Sequence, residues 1–137
     1  MKKLNVRSLF FIAALALFTF SSCKKNKEDI APPALTAAGV WTGLYGSGNN
    51  VPASYFSFII NDNGTMQVKS GDVNNPALGI GTWKITDGIF TGVYYYNLDP
   101  SFKYNVSAKI DLVKNTMEGS WGIGETVADK GTFTMTR

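Results

Sequence analysis

The chain has 137 residues, no histidine, a single cysteine and a formal charge of +3. Lys2, Lys3 and Arg7 are three of its 13 basic residues, so loss of an N-terminal leader would leave acidic and basic groups balanced at 10 each; no basic surface for nucleic acid or anionic lipid is expected. Without histidine, and with one thiol, zinc ligand sets, Ser–His and Cys–His nucleophile pairs and redox cysteine motifs drop out. Oxygen-ligated hard metals and carboxylate chemistry remain.

The first element in the chain is that leader. Lys2, Lys3 and Arg7 precede an apolar run over residues 9–20, then Ser21, Ser22 and Cys23. The run is about a dozen residues, against the roughly 20 needed to span a bilayer. A short apolar run with a basic flank and small residues before a cut point describes a secretory signal. The tetrad Phe20-Ser21-Ser22-Cys23 resembles the lipobox of bacterial lipoproteins, with Phe20 where leucine is commoner. The resemblance implies a signal peptide over 1–22, cleavage before Cys23, and acylation there. Two or three acyl chains anchor stably where one binds only marginally. The plainer alternative is a secreted chain with a stray thiol.

Lys27-Glu28-Asp29 resembles the Lys-acid-acid export tag on surface lipoproteins of some Gram-negative bacteria. That resemblance implies a lipid-anchored outer-membrane protein displayed on the cell surface; a solvated charge run is the alternative. Residues 23–38 read as a lipidated tether, charged first and then carrying Pro32-Pro33 and small residues. Residues 39–137 suffice for one domain with one core.

Within that domain the sequence predicts strands joined by tight turns. A first strand covers 40–45. The turn at Asn61-Asp62-Asn63-Gly64-Thr65 reads as a three-residue loop with Gly64 left-handed, which pairs Ile60 with Met66 and Phe58 with Val68. Its Asp and Asn residues also resemble a calcium loop, but the spacing does not fit an EF-hand. Asp87-Gly88 predicts a type I′ hairpin. That register sets Ile85 against Phe90, Trp83 against Gly92, Gly81 against Tyr94 and Gly79 against Tyr96, so aromatic rings cover glycine gaps in a bent sheet.

Residues 102–112 alternate apolar and polar without a break, from Phe102 to Leu112. A two-residue turn at Lys114-Asn115 sets Leu112 against Met117, Ile110 against Gly119 and Ala108 against Trp121. It also sets Asp111 against Glu118 on the outer face, an unfavourable like-charge pair that would be either a strained contact or a carboxylate site. A last strand covers 131–137. About eight antiparallel strands in sequence order predict an all-β up-and-down barrel closed by its first and last strands, with a two-sheet β-sandwich as the alternative.

The domain opens on Gly39-Val40-Trp41-Thr42-Gly43, with Gly-Thr-Trp and Gly-Thr-Phe starts at Gly81 and Gly131. These motifs resemble the calycin barrels, lipocalins and avidins, over residues 39–137. The resemblance implies a structural role for Trp41, packed across a closed barrel end. The chain lacks the lipocalin disulfides and a recognisable set of biotin-contacting residues, so no ligand is implied.

An eight-stranded barrel is either filled by side chains or holds one small ligand. Trp83, Phe90, Tyr94, Tyr96, Phe102, Tyr104 and Trp121 are expected to face inward. Trp83, Tyr94, Tyr96, Tyr104 and Trp121 are the candidate lining of a pocket, and the glycine-rich loop 46–52 is a mouth or a plain surface loop. The expected function is non-enzymatic binding of a small apolar or amphipathic molecule by a lipid-anchored barrel, without cofactor or metal. The alternative is a filled barrel working as a glycan- or protein-binding module (an inhibitor included) through exposed Tyr95. A cavity of several hundred Å³, typical of ligand sites, would favour the first; a filled interior, the second.

Overall fold

In the computed structural model, the residues described are 35–127 and 129–137. Cys23, Lys27, Glu28 and Asp29 lie outside them. Eight strands follow one another: β1 (Gly39–Ser47), β2 (Ser54–Ile60), β3 (Thr65–Gly71), β4 (Pro76–Thr86), β5 (Ile89–Tyr96), β6 (Asp99–Asp111), β7 (Thr116–Ile123) and β8 (Gly131–Thr136). Each pairs antiparallel with its sequence neighbour, and β1 pairs with β8 to close the barrel. The sandwich alternative is thereby set aside. Closure satisfies both edges that an open eight-stranded sheet would leave exposed.

Turn chemistry sets the registers. Asp87 and Gly88 have φ of 51° and 77°, as the hairpin between β4 and β5 requires, and all the pairs expected there form, from Thr86–Ile89 to Gly79–Tyr96. Gly64 is left-handed (φ 82°), and Ile60 and Phe58 meet Met66 and Val68. Asn63 closes this turn itself, its Oδ1 accepting from the Thr65 amide (3.1 Å) and hydroxyl (2.6 Å).

The hairpin between β6 and β7 departs from expectation by two residues. Ile110 pairs with Met117, Ala108 with Gly119 and Val106 with Trp121. The turn is four residues, because the Asp111 carboxylate accepts from the amides of Val113 (3.0 Å) and Lys114 (2.9 Å) and holds the chain in a wider loop. A shift of two preserves every side chain's face. It does remove the expected acid pair: Glu118 pairs with Lys109, and Asp111 with Thr116.

One end of the barrel is packed solid. Trp41, Phe58, Phe90, Phe133, Met66, Met117, Val68 and Val106 are fully buried there. Phe58 stacks on Phe90 at 6.0 Å and meets Phe133 edge-on at 5.8 Å. The Trp41 indole donates to the Ala37 carbonyl (2.8 Å). Arg137 sits 5.1 Å from the Trp41 ring and donates to the carbonyls of Thr36 (2.6 Å) and Ala38 (2.8 Å). Residues 36–38, the tail of the expected tether, therefore cap this end, and the chain enters the barrel from it.

Candidate functional site

At the opposite end the interior opens. Period-two alternation carries one inward row up each strand, and the last inward residues form an aromatic cup. Tyr45 comes from β1, Phe56 from β2, Ser70 from β3, Ala77 from β4, Tyr94 and Tyr96 from β5, Tyr104 from β6 and Trp121 from β7. Together they line a cavity of about 200 Å³. That lies between the two expectations. It is smaller than the roughly 300–1,000 Å³ of drug-sized ligand sites, yet the interior is not filled.

The rings brace one another. Tyr94 and Tyr104 are cross-strand partners, stacked 5.3 Å apart at 18°. Tyr96 stands edge-on to both, at 5.5 Å and 5.0 Å. Tyr45 meets Trp121 edge-on at 5.9 Å and lies tilted against Phe56 at 5.3 Å. Offset and edge-to-face contacts of this kind hold aromatic groups in fixed orientations.

The polar atoms are few and mostly occupied. The Trp121 indole donates to the Gly46 carbonyl (3.0 Å), tying β7 to the end of β1. Tyr96 Oη and Ser70 Oγ share a hydrogen bond of 2.5 Å. Burial pushes the Tyr94 phenol well above its ordinary 10.0, and the neighbouring Tyr96 adds to the shift. Burial also raises Tyr96, partly offset by its hydrogen bonds with Ser70 and Tyr94. Both phenols are neutral donor–acceptors at physiological pH. No acidic or basic side chain lines the cup.

Of the expected lining, Tyr94, Tyr96, Tyr104 and Trp121 come together here. Trp83 does not. It faces inward at the other end of the barrel, stacked on Phe90 at 5.9 Å, with its indole donating to the Asn61 carbonyl (2.9 Å). Phe102, expected inward, is 51% exposed at the mouth. Tyr45, Phe56, Ser70 and Ala77 are additions. Tyr45 shares the inward parity of Trp41 and Gly43, and the Phe58–Val68 pair extends to Phe56–Ser70, so both signals were present in the sequence.

The loop 48–53 lies at this mouth, held by hydrogen bonds from Gly48 to Lys130 (2.7 Å) and from Ala53 to Tyr45 (3.0 Å). Beside it, residues 124–127 lie against the outer wall. Asn105 donates to the Gly124 carbonyl, Ser120 to that of Val127 (2.7 Å), and Lys103 pairs with Glu125 (2.8 Å).

Asp111 and Glu118 share a shallow outer depression with Lys109 and Lys114. Among the described residues, no group of three or more acidic or thiol side chains converges on a point where a metal could sit. Comparison with protein-family models, curated proteins and solved structures returns no match.

Proposed function

We propose that this chain is a lipid-anchored binding protein of the outer membrane, non-enzymatic, whose calycin-like barrel takes one small apolar or amphipathic molecule into the aromatic cup. The cup carries this reading: rings that could have met across the barrel stand back around about 200 Å³. An apolar cavity of about 150 Å³ is enough to hold benzene, so the ligand is the size of a single substituted ring or a small branched group. The hydroxyls of the lining tyrosines give an amphipathic ligand polar atoms to meet.

The lipobox-like tetrad at Cys23 and the tag at Lys27-Glu28-Asp29 support the anchor and surface display. Cys23→Ser should release the protein from membranes, and protease added to intact cells should cleave the displayed domain; full protection would place it on the periplasmic side.

The decisive experiment asks for the ligand. Native mass spectrometry of the full chain should show a co-purifying small molecule. Benzyl alcohol should shift the indole N–H resonance of Trp121 and leave that of Trp83 in place. An unliganded mass together with an unmoved Trp121 would sink the reading.

A second reading rests on the outer wall. Tyr95 is 40% exposed and Ile80 61%, and they pair across the strands beside Gln67. An aromatic face flanked by an amide suits a glycan or a protein partner, which an inhibitor would also use. Glycan-array binding that disappears in Tyr95→Ala, with the cup empty, would favour it.

A further inference from the structure

The chemistry of the cup and of its rim narrows the ligand class. Tyr45, Tyr94, Tyr96, Tyr104 and Trp121 present electron-rich rings to one small space, with no carboxylate or ammonium among them. A ring face attracts a cation through its quadrupole, most strongly when water is excluded. An anion entering the same space would lose its hydration and find no positive partner. Because Tyr94 and Tyr96 hold their protons well into the alkaline range, the attraction comes from neutral rings.

The rim adds an independent bias. At this end lie Asp72, in the loop after β3, Asp99, at the start of β6, and Lys103, Glu125, Asp129 and Lys130. Lys103 is paired with Glu125 at 2.8 Å and Lys130 with Asp129 at 3.3 Å. Among the described residues Asp72 and Asp99 have no basic partner, and each accepts only a local backbone amide, from Asn74 (2.8 Å) and Ser101 (3.2 Å). With Lys69 towards the same end of β3 set against these acids, the mouth carries a slight excess of negative charge above an uncharged aromatic floor. Such a gradient draws cations to the entrance and leaves them to be desolvated against π faces below.

We propose that the cup binds a small organic cation, of the quaternary or trimethylated ammonium class, by cation–π contact. The inference rests on the small-molecule reading above. A trimethylammonium head is compact and weakly hydrated, presents methyl groups on every side, and needs no hydrogen-bond partner from the saturated Trp121 indole or the paired Ser70 and Tyr96 hydroxyls.

The test compares choline with its uncharged carbon isostere, 3,3-dimethylbutan-1-ol, by calorimetric titration of the full chain at low salt, with benzyl alcohol as a third probe. Choline should bind at least tenfold more tightly than the isostere. Tyr104→Leu, which keeps apolar bulk and removes a ring, should shrink that ratio several-fold. Asp99→Asn, on the exposed rim, should weaken choline alone and flatten its salt dependence. Where Tyr104→Leu fails to fold, the ligand pair on the unsubstituted protein and Asp99→Asn decide. Equal affinities for choline and the isostere would overturn the cation and leave the small-molecule reading standing. Binding of benzyl alcohol alone would do the same. Silence from all three probes would overturn both.

Discussion

Tyr94 is 1% exposed, yet it keeps a hydroxyl in the wall of the cup. Its folded state favours the neutral phenol, since burial raises the pKa above the ordinary 10.0. Below that value folded and unfolded chains are both protonated and the group costs nothing. As pH climbs past it, the unfolded chain ionises first and stability falls until the folded value is passed. In an ultraviolet titration Tyr94 and Tyr96 should therefore ionise above the ordinary phenol value. Tyr94→Phe should shift the alkaline unfolding midpoint upward. A wild-type titration in which all phenols ionise together while the fold persists would contradict this. Gly81 makes the opposite demand, for no side chain at all. A Cβ there would collide with the Val93 carbonyl oxygen and come within 2.6 Å of Tyr94 Cβ. The contacts are largely backbone, so relief requires moving β5. Gly81→Ala should cost about 1–3 kcal/mol in urea unfolding and displace Tyr94; an unchanged midpoint would show the wall to be softer than its geometry implies.

At the scale of the hairpin, side-chain chemistry in the turn decides what period-two alternation leaves open. Asp87-Gly88 and Asn63-Gly64 both carry a glycine in the left-handed position, and their registers could be read directly from sequence. The turn between β6 and β7 could not. Lys114-Asn115 looks like a two-residue turn, but Asn115 is left-handed (φ 56°) at the end of a four-residue loop begun by Asp111. The signal that was missed is Asp111 itself, an acid placed to accept the amides of its own turn. The consequence reaches the outer face, where Glu118 pairs with Lys109. Lys109→Glu should install the repulsion that the shorter turn would have produced between Asp111 and Glu118, lowering stability by up to about 1 kcal/mol. Added salt should recover part of the loss; insensitivity to the substitution would mean the pair is fully solvated.

Across the whole molecule, alternation specifies which face a side chain takes but not its height in the barrel. Height depends on strand stagger, which exists only once the sheet has closed. Trp83 and Tyr94 share an inward parity and could not be told apart by pattern, yet one is packed against Phe90 at the closed end and the other lines the cup. Phe102 has the same parity and lies beyond the wall. The barrel thus divides into a solid half of buried side chains and an open half that holds the cup, and side-chain truncation should tell their roles apart. Phe58, fully buried and packed against Phe56 (4.7 Å), Phe90 and Phe133, has no space around it. Phe58→Ala should cost about 3–5 kcal/mol, the range for deleting a ring from a packed core. Tyr104 borders a cavity and is only partly buried, so Tyr104→Ala removes less from water and enlarges a space that already exists. Its stability loss should be less than half that of Phe58→Ala, while ligand binding disappears. Urea midpoints for the two variants, set beside titration with choline or benzyl alcohol, provide the comparison. Equal losses of stability would mean that the cup rings are core like the rest, braced for the fold and not held apart for a guest.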